Sequence, residues 1–300
     1  MVVKKIGFIG LGQMGKWMAS NLLKCGFDLT VFDINPEAIA FLSKQGAAQA
    51  SSPAELARGV DLIILSLPNS DVVEDVVFGR DGIVHGSKSG LCLVDCGTAG
   101  YLWTRKFSES VQEKGLRFAD APVTGLEQRA QDATLTIMYG GTQNLLEAVR
   151  PVLEAMGNQV VHMGDAGSGQ LAKMINNILY NANIAALAEV LPMAVKLGLD
   201  PEKVATVINT GSAQSAASKF FIPNILEDSF KRGYSLTNAY KDMANADEIS
   251  AHYKIALPVV EAATATYQKT LSLGLGEEDK GAMIKVFEKK LGVVFRKRRK

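Results

Sequence analysis

The chain has 300 residues, of which 47% are apolar and 21% are charged, a composition typical of a folded globular protein with one or two domains. Its 32 Lys and Arg residues nearly balance 31 Asp and Glu residues, so the net charge of +1 gives no overall field that would attract nucleic acid or a membrane surface. We therefore expect neither as a partner. Residues 296–300 are all basic and are predicted to form a solvated terminus.

The three cysteines, Cys25, Cys92 and Cys96, cannot all pair, and neither they nor the three histidines show metal-ligand spacing. This pattern predicts no metal site and is typical of a protein in a reducing compartment. The first residues lead directly into an apolar strand and leave no room for a signal peptide. The expected location is the cytoplasm.

Two strand–helix units open the chain. An apolar run at 6–9 ends in glycines and is followed by a helical pattern at 14–25, and the next strand, 29–32, ends at Asp33. Further apolar strands are predicted at 62–67, 91–94, 117–119, 135–138 and 160–162. Near-continuous apolar strands separated by helices indicate a parallel sheet covered on both faces. The sequence therefore predicts an α/β fold, with a doubly wound parallel sheet of the Rossmann type over residues 1–165.

The character of the sequence changes after Gly164. The remaining chain, 166–300, has apolar residues at three- and four-residue spacing and is predicted to be an all-α domain for substrate binding and oligomerisation. It begins with a long interdomain helix over 168–197. The apolar part of this helix, 178–197, contains Asn, Glu, Pro and Lys residues that a bilayer would penalise, so a buried helix is expected rather than a membrane span.

A glycine motif follows the first strand and opens the first helix. It reads Gly-Leu-Gly-Gln-Met-Gly over residues 10–15, and its predicted cofactor-binding members are Gly10, Gly12, Gln13, Met14 and Gly15. The first glycine permits a tight turn, the second lets the backbone approach a pyrophosphate, and the third lets the helix pack closely on its strand. The free N–H groups of the helix N-terminus then favour the phosphates. The motif predicts a dinucleotide site.

Asp33 ends the second strand, where a carboxylate can accept hydrogen bonds from both hydroxyls of an adenosine ribose and would repel a 2′-phosphate. NAD is therefore the expected cofactor, with NADP less favoured. The carboxyl ends of the other strands should border the same crevice, which adds Leu67, Pro68, Asn69 and the loop 95–98 to the candidate site.

Lys173 begins a polar stripe, with Asn177 and Tyr180, on the otherwise apolar long helix. Burial beside a cofactor would lower the pKa of this lysine and suit it to exchange a proton with a substrate hydroxyl. From the residues alone, a structural lysine paired with a carboxylate is an equal alternative.

Three separated motifs, in this order, carry a family resemblance. The glycine motif, Asp-Ala-Pro-Val-Thr-Gly at 120–125 and Lys-Met-Ile-Asn-Asn at 173–177 together resemble the β-hydroxyacid dehydrogenase family, which includes 3-hydroxyisobutyrate, tartronate semialdehyde and 2-(hydroxymethyl)glutarate dehydrogenases. The similarity covers nearly the whole chain. It implies an NAD-dependent oxidoreductase acting on a small 3-hydroxy acid or its semialdehyde, assembled as a homodimer or homotetramer.

The resemblance also implies residue roles. Lys173 corresponds to the catalytic lysine, as general acid/base, and Asn177 to the residue that orients the substrate. Thr124 and Gly125 lie where the family binds the substrate carboxylate, and Leu126 follows them. Cofactor-contacting positions are occupied by Thr98 and Lys241.

Three departures from the family pattern affect the site. Gly97 stands where a serine is usual, so a hydroxyl near the nicotinamide is missing, and Leu126 replaces a second glycine. Tyr101 stands where a proline is common. Because Lys173 is retained, these departures favour an unusual substrate over an inactive site.

The sequence leaves three alternatives to this function. Imine reductases built on this architecture typically lack the lysine, and a 6-phosphogluconate dehydrogenase would need a longer C-terminal domain and a cluster of Arg and His. The third alternative is a catalytically inactive regulatory or scaffold module that binds the dinucleotide. Turnover of 3-hydroxy acids distinguishes the module from the enzyme.

Overall fold

The computed structural model describes residues 3–297, and the chain divides into two compact units, 1–173 and 174–300. The division falls inside the long predicted helix rather than at the glycine-rich segment that precedes it. Each unit has a hydrophobic core of its own.

The first unit contains one nine-stranded sheet in the order β3-β2-β1-β4-β5-β6-β8-β7, with β9 paired to β8. Its strands are β1 (Lys5–Ile9), β2 (Asp28–Phe32), β3 (Ala48–Gln49), β4 (Leu62–Leu65), β5 (Cys92–Asp95), β6 (Arg117–Asp120), β7 (Val123–Thr124), β8 (Leu135–Gly140) and β9 (Gly157–Gly164). The neighbours from β3 through β6 are parallel, whereas β8 is antiparallel to both β6 and β7. The predicted doubly wound Rossmann sheet is confirmed, and its departure from a parallel arrangement is β8, which runs antiparallel to β6 and β7.

Helices cover both faces of this sheet. They are α1 (Gly15–Lys24), α2 (Pro36–Ser43), α3 (Pro53–Arg58), α4 (Ser70–Phe78), α5 (Tyr101–Glu113), α6 (Leu126–Gln131) and α7 (Gln143–Glu154), with a 3₁₀ turn at Ile83–His85. Successive strand residues pack into different cores. Phe8 and Ile64 belong to one cluster, and Ile9 and Leu65 to the other. Because neither face meets water, the strands are almost continuously apolar, which is why the sequence revealed them.

All seven predicted strands are present with shifted ends. The two missed strands, at Ala48–Gln49 and Val123–Thr124, have two residues each and are too short to show a hydrophobic pattern.

Helices make up the second unit. They are the greater part of α8 (Ser168–Lys196), then α9 (Pro201–Thr210), α10 (Ala216–Leu226), α11 (Leu236–Tyr253), α12 (Pro258–Leu271) and α13 (Ile284–Leu291), with a 3₁₀ turn at Lys280–Met283. The core contains the fully buried Phe221, Met243 and Tyr267. Over the described residues 165–297, the β pairing consists of one isolated bridge between Ser235 and Asp279. The predicted all-α character is confirmed.

Helix α8 has 29 residues and contains an 18-residue window with a mean hydropathy of 1.5, so by length and composition alone it could cross a membrane, a test that core helices of soluble proteins also pass. Ile184, Ala188 and Leu191 are buried in the core of the second unit, whereas Leu179 and Met193 are 62% and 50% exposed. The expected burial of this helix therefore holds for one face.

The basic C-terminus is partly built into the fold. The Arg296 guanidinium donates to Glu288 Oε1 at 2.7 Å and to Asp228 Oδ1 at 2.8 Å, and it lies 5.0 Å from the ring of Phe230. The prediction of a solvated terminus is wrong for Arg296. Residues 298–300 lie outside the described part of the chain.

Candidate active site

The glycine motif forms a tight turn between β1 and α1. Gly10 has φ +95°, a conformation that favours glycine, and a Cβ on Gly15 would lie 2.0 Å from the Gly10 carbonyl oxygen. Around Gly12, a Cβ would meet nothing within 4 Å, so its backbone is open to a ligand. The two requirements, close packing at Gly15 and open space at Gly12, fit the pyrophosphate of a dinucleotide.

Asp33 ties the end of β2 to this turn. Its Oδ2 accepts from the Leu11 N–H at 2.5 Å and its Oδ1 from the Asn35 N–H at 2.7 Å. The carboxylate therefore lies beside the glycine motif, where it fits the adenosine ribose. Ile34, the next residue, is 94% exposed and offers no cation for a 2′-phosphate.

The remaining strand ends meet at the same edge of the sheet. Leu65 pairs in register with Ile9 and Asp95, and Asp95 pairs with Asp120, so the loops after β1, β4, β5 and β6 are consecutive neighbours. Of the predicted residues there, Leu67 is partly buried, and Pro68 and Thr98 are exposed.

Asn69 has a structural function that the sequence analysis missed. Its Oδ1 accepts from the Val72 N–H at 3.0 Å and caps α4. Its cofactor role stays a prediction.

The structure gives a physical reason for Gly97. A Cβ at this position would lie 2.9 Å from the Leu67 carbonyl oxygen and 3.0 Å from Asp95 Oδ1. A serine would therefore force one of the two loops to shift, so the missing hydroxyl follows from the close approach of the loops after β4 and β5.

Asp95 is a fully buried carboxyl group at the end of β5. Its Oδ1 accepts from the Gly97 N–H at 2.8 Å, and its Oδ2 has no hydrogen-bond partner among residues 3–297. Burial raises the pKa of Asp95 to about 7, the bond from Gly97 opposes this rise, and the nearby charge of Asp120 adds to it. Near neutral pH this carboxyl group titrates in the folded protein.

The start of α8 is fixed to the sheet edge by Asp120 and Gln170. Asp120 Oδ1 accepts from the Gly167 N–H at 2.6 Å and Oδ2 from the Gln170 N–H at 2.7 Å. The Gln170 side chain in turn donates to the Gly97 carbonyl at 2.9 Å and accepts from the Ala99 N–H at 3.1 Å. The N-terminus of α8 is thus capped by Asp120 on β6, and not by a residue next to the helix in sequence.

Burial also raises the pKa of Asp120, to about 6, against the opposing backbone bonds from Gly167 and Gln170. The sequence predicted no role for Asp120 or Gln170. The sequence did contain one signal for Asp120, because it is an aspartate at the carboxyl end of a predicted strand, as Asp33 and Asp95 are.

Lys173 is partly buried on the first turns of α8, one turn after Gln170. Thr124 and Gly125 lie at the end of β7 in the same unit, Gly125 with φ +143°. Leu126 has φ +61°, rare for a residue with a side chain, and is 64% exposed. The first unit therefore contains Lys173, the glycine motif, Asp33 and the segment 124–126.

Asn177 and Lys241 belong to the second unit. Asn177 Nδ2 donates to Asp242 Oδ2 at 3.1 Å, which joins α8 to α11, and Lys241 is exposed beside Asp242. Tyr180 is the third member of the predicted stripe, and the Lys280 Nζ lies 4.2 Å from the centre of its ring. Burial raises the pKa of the Tyr180 hydroxyl to about 12, and the charge of Asp279 adds to this rise. Sequence reasoning gave no role to Asp242 or Lys280.

Over the described residues, no three His, Cys, Asp or Glu side chains lie close enough to hold a metal ion. His162 Nε2 lies 2.7 Å from the Gly141 carbonyl oxygen and 3.1 Å from that of Gly164, which indicates a structural role.

Two family models cover most of the chain. Residues 5–164 match the NAD binding domain of 6-phosphogluconate dehydrogenase, and residues 167–287 match the NAD-binding model of NADP-dependent 3-hydroxyisobutyrate dehydrogenase. These matches agree with the glycine motif and Asp33, so the cofactor is a nicotinamide dinucleotide.

Relatives of known name match over nearly their full length. The 2-(hydroxymethyl)glutarate dehydrogenase of Eubacterium barkeri is 38% identical, with 96% of each chain covered. The NAD-dependent L-serine dehydrogenase of Pseudomonas aeruginosa is 33% identical over 95% of this chain and 98% of its own. The solved 3-hydroxyisobutyrate dehydrogenase of Mycobacterium tuberculosis, described with L-serine, has a TM-score of 0.84 at 30% identity and covers 95% of this chain and 99% of its own. This chain belongs to the β-hydroxyacid dehydrogenase family, whose members are NAD(P)-dependent oxidoreductases of small hydroxy acids.

Proposed function

We propose that this protein transfers a hydride between NAD and a small 3-hydroxy acid or its semialdehyde, with Lys173 as the general acid/base. The observation that carries the proposal is the attachment of the Lys173 helix to the sheet edge. Asp120 and Gln170 fix its first turn beside the loops that follow β5 and β6. A lysine one turn further along is thereby held next to the strand ends that border a dinucleotide site.

When bound, NAD supplies the hydride acceptor, or NADH the donor. Lys173 takes the proton of the substrate hydroxyl during oxidation and returns it to the forming alkoxide during reduction. Thr124 and Gly125 hold the substrate carboxylate through the Thr124 hydroxyl and backbone N–H groups, and Asn177, held by Asp242, orients the substrate. Leu126 adds apolar bulk beside the carboxylate and restricts the acids that are accepted.

We further propose NAD rather than NADP, because the Asp33 carboxylate fits the ribose hydroxyls and would repel a 2′-phosphate. Residues 10–15, 67–69, Thr98 and Lys241 complete the cofactor site. In this proposal residues 1–165 bind the cofactor and residues 166–300 serve substrate binding and assembly into a homodimer or homotetramer in the cytoplasm.

The relatives guide the choice of substrates. Their names point to 2-(hydroxymethyl)glutarate, L-serine and 3-hydroxyisobutyrate as the first acids to test. The 2-(hydroxymethyl)glutarate and L-serine dehydrogenases, at 38% and 33% identity, favour neither the imine reductase nor the inactive module.

The test is steady-state NADH formation from a panel of 3-hydroxy acids, with NAD and NADP in parallel, by the natural protein and by Lys173→Ala. Loss of an acid/base group should lower kcat by roughly 10²-fold or more and leave NADH binding nearly unchanged. Lys106→Ala, at an exposed position on α5, is the matched control. Unchanged kcat in Lys173→Ala would remove the lysine from the chemistry, and absence of turnover with every acid would leave only a dinucleotide-binding module.

A further inference from the structure

One face of α1 is bonded to α6. Trp17 Nε1 donates to Glu127 Oε1 at 2.8 Å, and Gln13 Nε2, one turn earlier, donates to Glu127 Oε2 at 2.9 Å. One turn later, Asn21 Nδ2 donates to the Ala130 carbonyl at 2.7 Å. Lys16 adds an ion pair, with its Nζ 3.4 Å from Glu127 Oε1. Both carboxylate oxygens of Glu127 are therefore engaged, Oε1 by the first turn of α1 and Oε2 by Gln13 of the glycine motif just before it.

The two ends of this link lie at different parts of the proposed site. The first turn of α1 follows the glycine motif and presents its N–H groups to the cofactor phosphates. Glu127 directly follows Gly125 and Leu126, which have φ +143° and +61°. The segment next to Glu127 is thus in a conformation that a leucine does not favour and that must be held by its surroundings.

We propose that Glu127 is a positioning residue that holds the substrate segment 124–126 against the cofactor-binding turn and makes the order of this segment depend on cofactor binding. The role of 124–126 in this inference rests on the proposed function. The bonds from Trp17 and Gln13 lower the pKa of Glu127, so its carboxylate is charged at neutral pH and its hydrogen bonds are charge-assisted. A dinucleotide that orders the first turn of α1 orders Gln13 and Trp17, and through them the start of α6.

Hydrogen–deuterium exchange of the peptide 124–131, with and without NADH, tests this link without any turnover. In the natural protein, NADH should slow exchange of this peptide. In Glu127→Ala the peptide should exchange faster, and NADH should no longer slow it. The matched control is Gln128→Ala on the same helix. The Gln128 side chain donates a local hydrogen bond to Asp132, four residues along the chain. This control should behave as the natural protein does.

Kinetics provide a second measurement that a general loss of stability would not reproduce. Glu127→Ala should raise KM for the hydroxy acid at least tenfold while Kd for NADH changes less than threefold, and Glu127→Gln, which keeps an acceptor for Trp17, should be intermediate. If Glu127→Ala does not fold, Trp17→Phe removes one donor and keeps the ring that packs 5.6 Å from Phe41. It should reduce the NADH effect on the peptide.

Equal slowing by NADH in Glu127→Ala, or in Trp17→Phe where that variant replaces it, would overturn the proposal, as would no slowing in the natural protein. Lack of turnover by the natural protein would overturn the proposed function instead, and the exchange result would still decide the role of Glu127.

Discussion

Asp95→Asn should change the pH dependence of stability. In the folded protein burial raises the pKa of Asp95 to about 7, from 3.8. The folded state therefore binds more protons than the unfolded chain between these values, and stability falls as the pH rises through this window. At about 1.4 kcal/mol per pKa unit, the ionised side chain costs the folded state about 3 kcal/mol more at pH 8.5 than at pH 5.

Asn carries no charge, so this pH-dependent cost disappears in the variant. The new buried N–H₂ adds a cost of about 1–3 kcal/mol, but that cost is the same at both pH values. The free energy of unfolding of the variant, relative to the natural protein, should therefore rise by about 3 kcal/mol between pH 5 and pH 8.5.

Urea unfolding followed by tryptophan fluorescence measures this difference, because both tryptophans, Trp17 and Trp103, lie in the unit that contains Asp95. Glu154→Gln, which removes an exposed carboxylate of the same unit, is the control and should show no such dependence. A relative stability of Asp95→Asn that is the same at both pH values would refute the reasoning.

Two further predictions concern the cofactor and the C-terminus. Asp33→Ala should lower the ratio of kcat/KM for NAD to kcat/KM for NADP at least tenfold, because the repulsion of a 2′-phosphate is removed. Steady-state kinetics with both cofactors measure this ratio, and an unchanged ratio would exclude Asp33 from the site. Truncation after Lys297 should leave the thermal midpoint, followed by circular dichroism, unchanged. Truncation after Phe295 should reduce the free energy of unfolding by about 3 kcal/mol, because the buried Glu288 loses Arg296. Equal midpoints for the two truncations would contradict the assigned role of Arg296.

The parts of the fold that could be predicted from the sequence are those with a local pattern. Strands buried on both faces are apolar throughout, as at 62–65, and the glycine motif needs three specific residues within six positions of a strand–helix turn. Helix α8 was predicted to within a residue at each end because its apolar periodicity continues for 29 residues.

The connections between distant segments were not predictable in this way. Nothing in the sequence near Asp120 shows that its carboxylate accepts from residues 167 and 170, because the pairing depends on the order of strands in the sheet. The bonds from Gln13 and Trp17 to Glu127 join residues more than 100 positions apart. Arg296 belonged to a run of like charges, a pattern that favours solvation, yet its partners Glu288 and Asp228 are acidic residues placed by the fold.

The end of β6 serves two purposes with separate residues. Asp120 fixes the start of the lysine-bearing helix by accepting hydrogen bonds from Gly167 and Gln170, and a few positions later the chain reaches Thr124 and Leu126, which take no part in those two bonds. Under the proposed function, acid selectivity can therefore change through substitutions at 124–126 that leave the residues holding the Lys173 helix untouched. A library built to redirect this enzyme toward new acids should randomise 124–126 and leave Asp120 and Gln170 fixed.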